Sequence, residues 1–221
     1  MNILLYILIL VIPIIAQLRV TGAYNKYKKQ ENSNKLSGFE VARKILDANG
    51  LENIYVVETR GNLTDHYDPS RKVIKLSKDI FHGATIASAS VAAHECGHAI
   101  QDKDNYTFMR IRSLLVPVVN LISISSWVVI VFGLFVEMFN IFLYGIGLIS
   151  ITLIFQLVTL PVEFDASKRA KEELSKLNLI GSGEDIGVKN MLDAAAMTYV
   201  ASVLTSILEI IRLLILFNDN K

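Results

Sequence analysis

The residues whose types and spacing are best suited to metal binding and catalysis are two histidines four positions apart, His94 and His98, with Glu95 between them. On an α-helix, residues at i and i+4 project from the same face one turn apart, so both imidazoles can bind one metal ion. Imidazole nitrogens favour zinc, which lowers the pKa of a bound water toward neutrality. Glu95 lies to one side of the two histidines. We predict that it takes a proton from that water and passes it to a leaving group.

The segment that carries this motif is predicted to be a buried helix over residues 84–101. It contains no proline and no charged residue before Glu95, and alanine is frequent in it. The alternative is a chance match, in which the two histidines are ordinary helix residues. The whole chain has only 4 histidines, and two of them fall in this motif. Metal binding is therefore the favoured interpretation.

A third metal ligand is expected after two long apolar segments that follow the motif. Glu163 stands where charged residues resume, at the start of a charged helix predicted over residues 162–178. Because the two apolar segments would carry the chain across a membrane and back, Glu163 would return to the side on which His94 lies. Asp165 is the main rival ligand. An ordinary acidic residue in the first turn of a helix is the other alternative for Glu163.

Four apolar segments are predicted to span a membrane: residues 3–18, 114–136, 138–160 and 197–217. Hydrophobic residues make up 52% of the chain and collect in these segments, which is typical of a membrane protein. The second and third segments are expected to form a hairpin that turns at residues 137–140. The first could be a signal peptide, but it lacks the expected flanking features, so an uncleaved anchor is favoured. The fourth contains Glu209 and Arg212, which can pair on one helical face; a partly interfacial helix is the alternative.

Lysine and arginine are concentrated in three loops, over residues 19–35, 110–112 and 168–176, whereas the predicted hairpin turn has none. By the positive-inside rule these loops, and with them the predicted site, lie on the cytoplasmic side of a multi-pass cell-membrane protein. The net charge is +1, and no basic surface interleaved with aromatic residues is present, so no nucleic-acid partner is predicted. Nothing in the sequence predicts an oligomeric state.

The polar insert between the first two spans, residues 22–112, is predicted to be a small α+β catalytic region. Ser37 and Glu40 have the spacing of a capping box at the start of a helix over residues 37–50. Residues 53–59 and 72–76 are typical of strands, and we expect them to form a hairpin with a long loop. Residues 72–76 could also pair with an extended substrate. The predicted fold is mainly α, with about four transmembrane helices and this insert, in one domain over residues 1–221.

Two further histidines and one cysteine lie in or near the insert. His66 is predicted to lie in the hairpin loop, where it or Tyr67 could stabilise an oxyanion; an exposed turn residue is the alternative. His82 precedes the motif helix and is predicted to be structural. Cys96, the single cysteine of the chain, points away from the two histidines by helical phase and is expected to pack.

The chain resembles the bacterial membrane zinc metallopeptidases of the YugP type over essentially its whole length. The resemblance is carried by residues 63–69 (LTDHYDP), 91–101 (VAAHECGHAIQ), 161–167 (PVEFDAS) and 194–200 (AAAMTYV). A more distant similarity is to the HtpX and Ste24 membrane proteases, which place a Glu-x-x-Ala-Asp element after a hairpin of spans. Glu163 and Ala166 match that element, which favours Glu163 as the ligand. Ser167 replaces the aspartate that is expected to orient a ligand histidine, so either Ser167 or Asp165 must take over this role.

The resemblance implies a Zn²⁺-dependent integral-membrane endopeptidase that hydrolyses peptide bonds at the cytoplasmic membrane face. Its expected metal ligands are His94, His98 and Glu163, with Glu95 as the base. The expected partners are the lipid bilayer and a peptide or membrane-protein substrate. The alternative is a zinc-stabilised membrane scaffold or chaperone without hydrolytic activity. Glu95 speaks against this alternative, because a purely structural site needs no base.

Overall fold

The computed structural model describes residues 3–136 and 139–219. Seven helices and a three-stranded sheet are present in this part of the chain. In chain order they are α1 (Ile3–Tyr27), α2 (Gly38–Ala48), β1 (Tyr55–Thr59), β2 (His66–Asp68), β3 (Val73–Ser77), α3 (Lys78–His82), α4 (Ile86–Lys103), α5 (Thr107–Phe135), α6 (Phe139–Lys176) and α7 (Asp185–Asp219).

The chain divides into two compact units. The first consists of the described parts of residues 1–17, 107–161 and 197–221 and is helical. The second consists of residues 18–106 and 162–196 and contains the sheet. It also contains the motif helix α4 and the charged part of α6.

Four helices are long and apolar enough to cross a membrane, which confirms the predicted number of spans. The stretches concerned are Ile3–Tyr27, Thr107–Gly133, Leu143–Lys176 and Asp185–Asn218. Each exposes large apolar side chains, for example Leu4, Leu114, Ile154 and Leu214. In water such exposure would be unfavourable, whereas a lipid environment removes the penalty.

The third predicted span and the charged helix after it form one continuous helix, α6, which runs through Pro161. Proline in a helix interior costs about 3 kcal/mol because it removes a hydrogen bond and clashes with the preceding turn. Here a stripe of buried side chains continues past it at four-residue spacing: Val162, Ala166, Ala170 and Leu174. Packing of this stripe keeps the chain helical, so Glu163 lies inside a helix and not in its first turn. Of the predicted hairpin turn, residues 137 and 138 lie outside the described residues.

The fourth apolar helix contains the ion pair that the spacing of its charges predicts. The Arg212 Nε donates to Glu209 Oε2 at 2.9 Å, and the Arg212 guanidinium lies 5.1 Å from the centre of the Tyr6 ring. The pairing shields both charges within the apolar unit.

The sheet differs from the predicted hairpin. Its strand order is β1–β3–β2, with β1 parallel and β2 antiparallel to β3. The hairpin forms between β2 and β3 across residues 69–72, where Asp68 Oδ1 accepts hydrogen bonds from the amides of Ser70 and Arg71. Closing this short turn loses less chain entropy than closing the longer loop between β1 and β3. Because β3 has neighbours on both sides, the prediction that residues 72–76 take up a substrate strand is wrong.

The second unit has its core between α2, the sheet and α4. The capping box at Ser37 and Glu40 is present, with the Ser37 amide donating to Glu40 Oε2 at 2.8 Å. The apolar face of α2 is fully buried and packs on α4. Helix α2 therefore packs against one face of α4, and the face of α4 that carries the histidine motif is left to contact α6.

Candidate metal and catalytic site

Helix α4 brings His94, Glu95 and His98 into a buried environment. Its start is capped by Thr85, whose side-chain oxygen accepts from the Ser88 amide at 3.1 Å. Small residues along its length let neighbouring elements approach closely, and four of its alanines are completely buried: Ala87, Ala89, Ala92 and Ala93. The predicted burial of this helix is therefore observed, and its ends lie at Ile86 and Lys103.

His94, His98 and Glu163 form a group that could hold a metal ion, with all three ligand atoms within 4.8 Å of one another. Glu163 Oε2 lies 3.3 Å from His94 Nε2 and 3.6 Å from His98 Nε2. Tetrahedral zinc with bonds of about 2.0–2.2 Å separates its donor atoms by roughly 3.3–3.6 Å. The spacing and the donor types therefore fit Zn²⁺. Asp165, the rival ligand, is outside this group.

The close approach of α4 and α6 depends on Gly97, inside the motif. A Cβ atom at this position would lie 2.5 Å from the Ala166 carbonyl oxygen. Only hydrogen fits there, so the glycine lets the backbone of α6 lie directly against α4. Glu163, about one turn before Ala166, thereby reaches the two histidines. In the sequence, the signal for this contact is the glycine between the two histidines. Only the position of α6 shows why glycine is needed there.

Gln101 orients His98. Its side-chain Nε2 donates to the Val162 carbonyl at 2.7 Å and to Asp165 Oδ2 at 2.9 Å. Both partners can only accept, so the amide oxygen must face the other way, toward His98 Nδ1 at 3.0 Å. Nδ1 therefore carries the proton, and Nε2 keeps its lone pair for a metal.

Sequence reasoning missed the role of Gln101. The available signal was its position three residues after His98, on the same helical face. A glutamine at that spacing can have many other roles. The two groups that accept its hydrogen bonds lie on α6, which is distant in the sequence.

Asp165 completes a chain of polar contacts behind Gln101. Its Oδ2 lies 2.6 Å from Arg169 Nε, and Arg169 Nη1 lies 2.5 Å from Asp104 Oδ2. Asp104 directly follows α4, so the arginine joins the two helices at this end of the site. Asp165 therefore supports His98 through Gln101.

Ser167 contacts the other histidine, with its Oγ 3.3 Å from His94 Nδ1. The sequence left open whether Ser167 or Asp165 takes the place of the aspartate that was expected to orient a ligand histidine. The structure places each of them behind a different histidine, Ser167 directly and Asp165 through Gln101.

The Glu95 side chain is buried beside the ligand group. Burial raises the pKa of Glu95 to about 7, with the charge of Glu163 acting in the same direction and His94 opposing it. The Tyr67 backbone amide of β2 also faces this carboxylate and favours its charged form. A carboxyl group that titrates near neutral pH can both accept and release a proton.

The structure does not bring His66 into the ligand group. It lies exposed on β2, and its Nδ1 is 2.8 Å from the Thr64 carbonyl oxygen. Its role in oxyanion stabilisation stays a prediction. The Tyr67 hydroxyl donates to Asp102 Oδ2 at 2.8 Å, which directs it to the end of α4.

Cys96 is packed as expected, whereas His82 is exposed and pairs with Glu58, so its predicted structural role stays a prediction. His82 Nε2 lies 2.7 Å from Glu58 Oε2. Cys96 is fully buried, with its Sγ 3.6 Å from the Ala42 carbonyl oxygen of α2.

Fold and site together define the class: a mainly helical membrane protein with a buried His-His-Glu group that suits zinc. The chain belongs to the family described as "putative neutral zinc metallopeptidase", whose family model matches residues 2–218. It is 42% identical over 206 residues to the "Putative membrane protease YugP" of Bacillus subtilis (strain 168), covering 93% of this chain and 92% of that protein. No solved structure matches the chain. The resemblance to the YugP type, read from the motifs, is thus confirmed.

Proposed function

We propose that this chain is an integral-membrane zinc endopeptidase, in which His94, His98 and Glu163 hold the metal and Glu95 is the general base. The observation that carries the proposal is the convergence of His94 Nε2, His98 Nε2 and Glu163 Oε2 beside a fourth group, Glu95, that is not part of the ligand set. Bound zinc would act as a Lewis acid, polarising the scissile carbonyl and making water acidic enough to attack it.

The residues around the metal position divide the remaining work. Glu95 takes the proton from the attacking water and delivers it to the nitrogen of the departing amine. Gln101 and Ser167 hold the two imidazole rings in the orientation that presents Nε2 to the metal. In the metal-free protein, burial raises the pKa of Glu95 to about 7, close to the pH at which a carboxyl group can both accept and release a proton.

The substrate backbone is proposed to bind in an extended conformation along β2. This strand pairs with β3 on one side only and is an edge of the sheet. Its Tyr67 amide faces Glu95, so a peptide added at this edge would pass close to the base. His66 lies on the same strand, where it can contact such a peptide.

The site is proposed to lie on the cytoplasmic side of the membrane. The support is the distribution of lysine and arginine over residues 19–35, 110–112 and 168–176. The last of these segments belongs to α6, the helix that also carries Glu163.

A non-hydrolytic scaffold or chaperone is the second candidate. Structural zinc sites are normally closed by four protein ligands, whereas catalytic sites keep one position open. Among the described residues the group has three members, which favours catalysis.

The decisive experiment combines metal content with cleavage in the full-length, detergent-solubilised protein. Wild type is expected to bind one zinc ion and to cleave an unstructured substrate such as casein. Glu95→Gln is expected to keep the zinc and lose cleavage by several orders of magnitude, whereas Glu163→Ala loses both. Persistent cleavage by zinc-loaded Glu95→Gln would exclude the proposed base. Unchanged zinc content in Glu163→Ala would remove Glu163 from the ligand set.

A further inference from the structure

A basic cavity lies in the second unit, apart from the metal-binding group. Its volume is about 500 Å³. Three of its lining residues are lysines, two directly after α1 and one at the start of α3; the full lining is Lys28, Lys29, Lys78, Asp79, His82, Gly83 and Thr85. We propose that this cavity binds the headgroup of an anionic phospholipid.

The three ammonium groups of the cavity are not neutralised by the protein. Among the described residues, no carboxylate oxygen lies within 4 Å of the Nζ of Lys28, Lys29 or Lys78. Five other lysines of the same unit have such partners, namely Lys72, Lys168, Lys171, Lys176 and Lys189. Lys26, Lys35, Lys44, Lys75 and Lys103 are also without one among the described residues, so it is the shared cavity that distinguishes Lys28, Lys29 and Lys78. Three like charges around one concavity raise its positive potential and attract an anion.

The carboxylate in the lining offsets one of the three positive charges and leaves an excess of two. Asp79 is the single carboxylate among the residues that line the cavity. Glu58 lies 2.7 Å from His82 Nε2 and is directed to the imidazole. If a lipid phosphodiester bound to the lysines, Asp79 could still accept hydrogen bonds from hydroxyl groups of the headgroup, such as those of a glycerol headgroup.

The walls of the cavity are held together by backbone hydrogen bonds. The chain after α1 pairs with the link between α3 and α4 through the bridge between Glu31 and Thr85. The Ile86 amide donates to the Gln30 carbonyl at 2.9 Å, and the Asn32 amide to the Ala84 carbonyl at 3.0 Å. The lysine-bearing segments are therefore pre-positioned, which lowers the entropy lost on binding an anion.

The position of the cavity along α1 selects a lipid as the source of the anion. The 25 residues of α1 correspond to about 37 Å of helix at ~1.5 Å per residue. The apolar part of α1, residues 3–18, takes up about 24 Å of this length in the bilayer, and the rest of α1 continues on the side of the basic residues 19–35. Lys28 and Lys29 follow the last residue of α1 and therefore face the surface of the cytoplasmic leaflet, whose negative potential attracts basic segments.

The test measures lipid binding to the full-length, zinc-loaded protein in neutral detergent. Native mass spectrometry counts bound dioleoyl phosphatidylglycerol, with dioleoyl phosphatidylcholine and inorganic phosphate as competing probes. The variant is the triple substitution Lys28→Gln, Lys29→Gln and Lys78→Gln. The control is Lys168→Gln, Lys171→Gln and Lys189→Gln, which removes the same charge from lysines that have carboxylate partners.

We expect the wild-type protein to bind one phosphatidylglycerol molecule tightly. The control variant should bind it equally well, whereas the cavity variant should lose this binding. Each lysine near an anionic lipid contributes roughly a fivefold change in affinity, so the triple variant should bind on the order of 100-fold more weakly. Equal loss in both triple variants would show a non-specific charge effect and overturn the proposal. Equal affinity for phosphatidylcholine, or displacement of the lipid by equimolar inorganic phosphate, would also overturn it.

Discussion

Replacing Gly97 with alanine adds one methyl group between α4 and α6, in the middle of the ligand set. The new Cβ would lie 2.5 Å from the Ala166 carbonyl oxygen and 3.1 Å from the Ala166 carbonyl carbon and Cα. All three atoms belong to backbone, so no side chain can move aside. Restoring an ordinary contact of at least 3.4 Å would require the helices to separate by about 0.9 Å.

This separation is large compared with the tolerance of a zinc site. Metal–ligand distances vary by only about 0.2 Å between good sites, and Glu163 moves with α6 while the histidines stay on α4. We therefore expect Gly97→Ala to weaken zinc binding by at least the 10–100-fold typical of perturbed supporting residues. The overpacking should also lower the free energy of unfolding by about 1–3 kcal/mol. Alanine is the better helix former by about 1 kcal/mol, so any loss occurs despite a favourable local change.

Zinc affinity would be measured by competition with a chromogenic chelator, and folding by circular dichroism and thermal melting. Gly22→Ala is the matched control, because nothing lies within 4 Å of a Cβ at this helical glycine. It should bind zinc as wild type does. If Gly97→Ala bound zinc with unchanged affinity in a folded protein, the contact with Ala166 would not be what holds Glu163 against the histidines.

Three further substitutions test the surroundings of the site. Gln101→Leu removes the acceptor for His98 Nδ1 and should weaken zinc binding about 10–100-fold, measured by the same chelator competition; unchanged affinity would contradict the orienting role. Glu95→Gln should raise the free energy of unfolding of the metal-free protein at pH 8 by at most about 3 kcal/mol. Burial raises the pKa of Glu95 from 4.5 to about 7, so at pH 8 the folded protein carries a buried charge that destabilises it. This gain should shrink as the pH falls from 7 to 4.5, and melting curves at pH 5 and pH 8 that showed the same gain would refute it. Tyr67→Phe removes the hydrogen bond to Asp102 and should lower the free energy of unfolding by about 1 kcal/mol with zinc content retained, as denaturation and metal analysis would show.

Features that depend on neighbours in sequence could be predicted directly. The i, i+4 spacing of His94 and His98 determines a common helical face whatever surrounds the helix. The capping box at Ser37 and Glu40 needs only one turn of backbone. The four apolar segments were recognisable because the thickness of a bilayer sets the length of a spanning helix.

Features that depend on distant partners could not be predicted in the same way. Pro161 is a local signal for a helix end, but the buried stripe from Val162 to Leu174 outweighs it. The strand residues were recognisable by type, but the strand order depends on which strands pair with which, and both β1 and β2 pair with β3. The short β2 was therefore missed, and β3 became the central strand.

The choice between Glu163 and Asp165 shows most clearly where sequence and tertiary structure divide. The sequence by itself determined the histidine pair, the glutamate beside it and a return of acidic residues after two apolar segments. Two residues apart on a helix, Glu163 and Asp165 point about 200° apart, so one rotation of α6 cannot direct both at the histidines. Packing of the α6 stripe and the contact at Gly97 decide that rotation. They turn Glu163 toward the metal position and leave Asp165 to support His98 through Gln101.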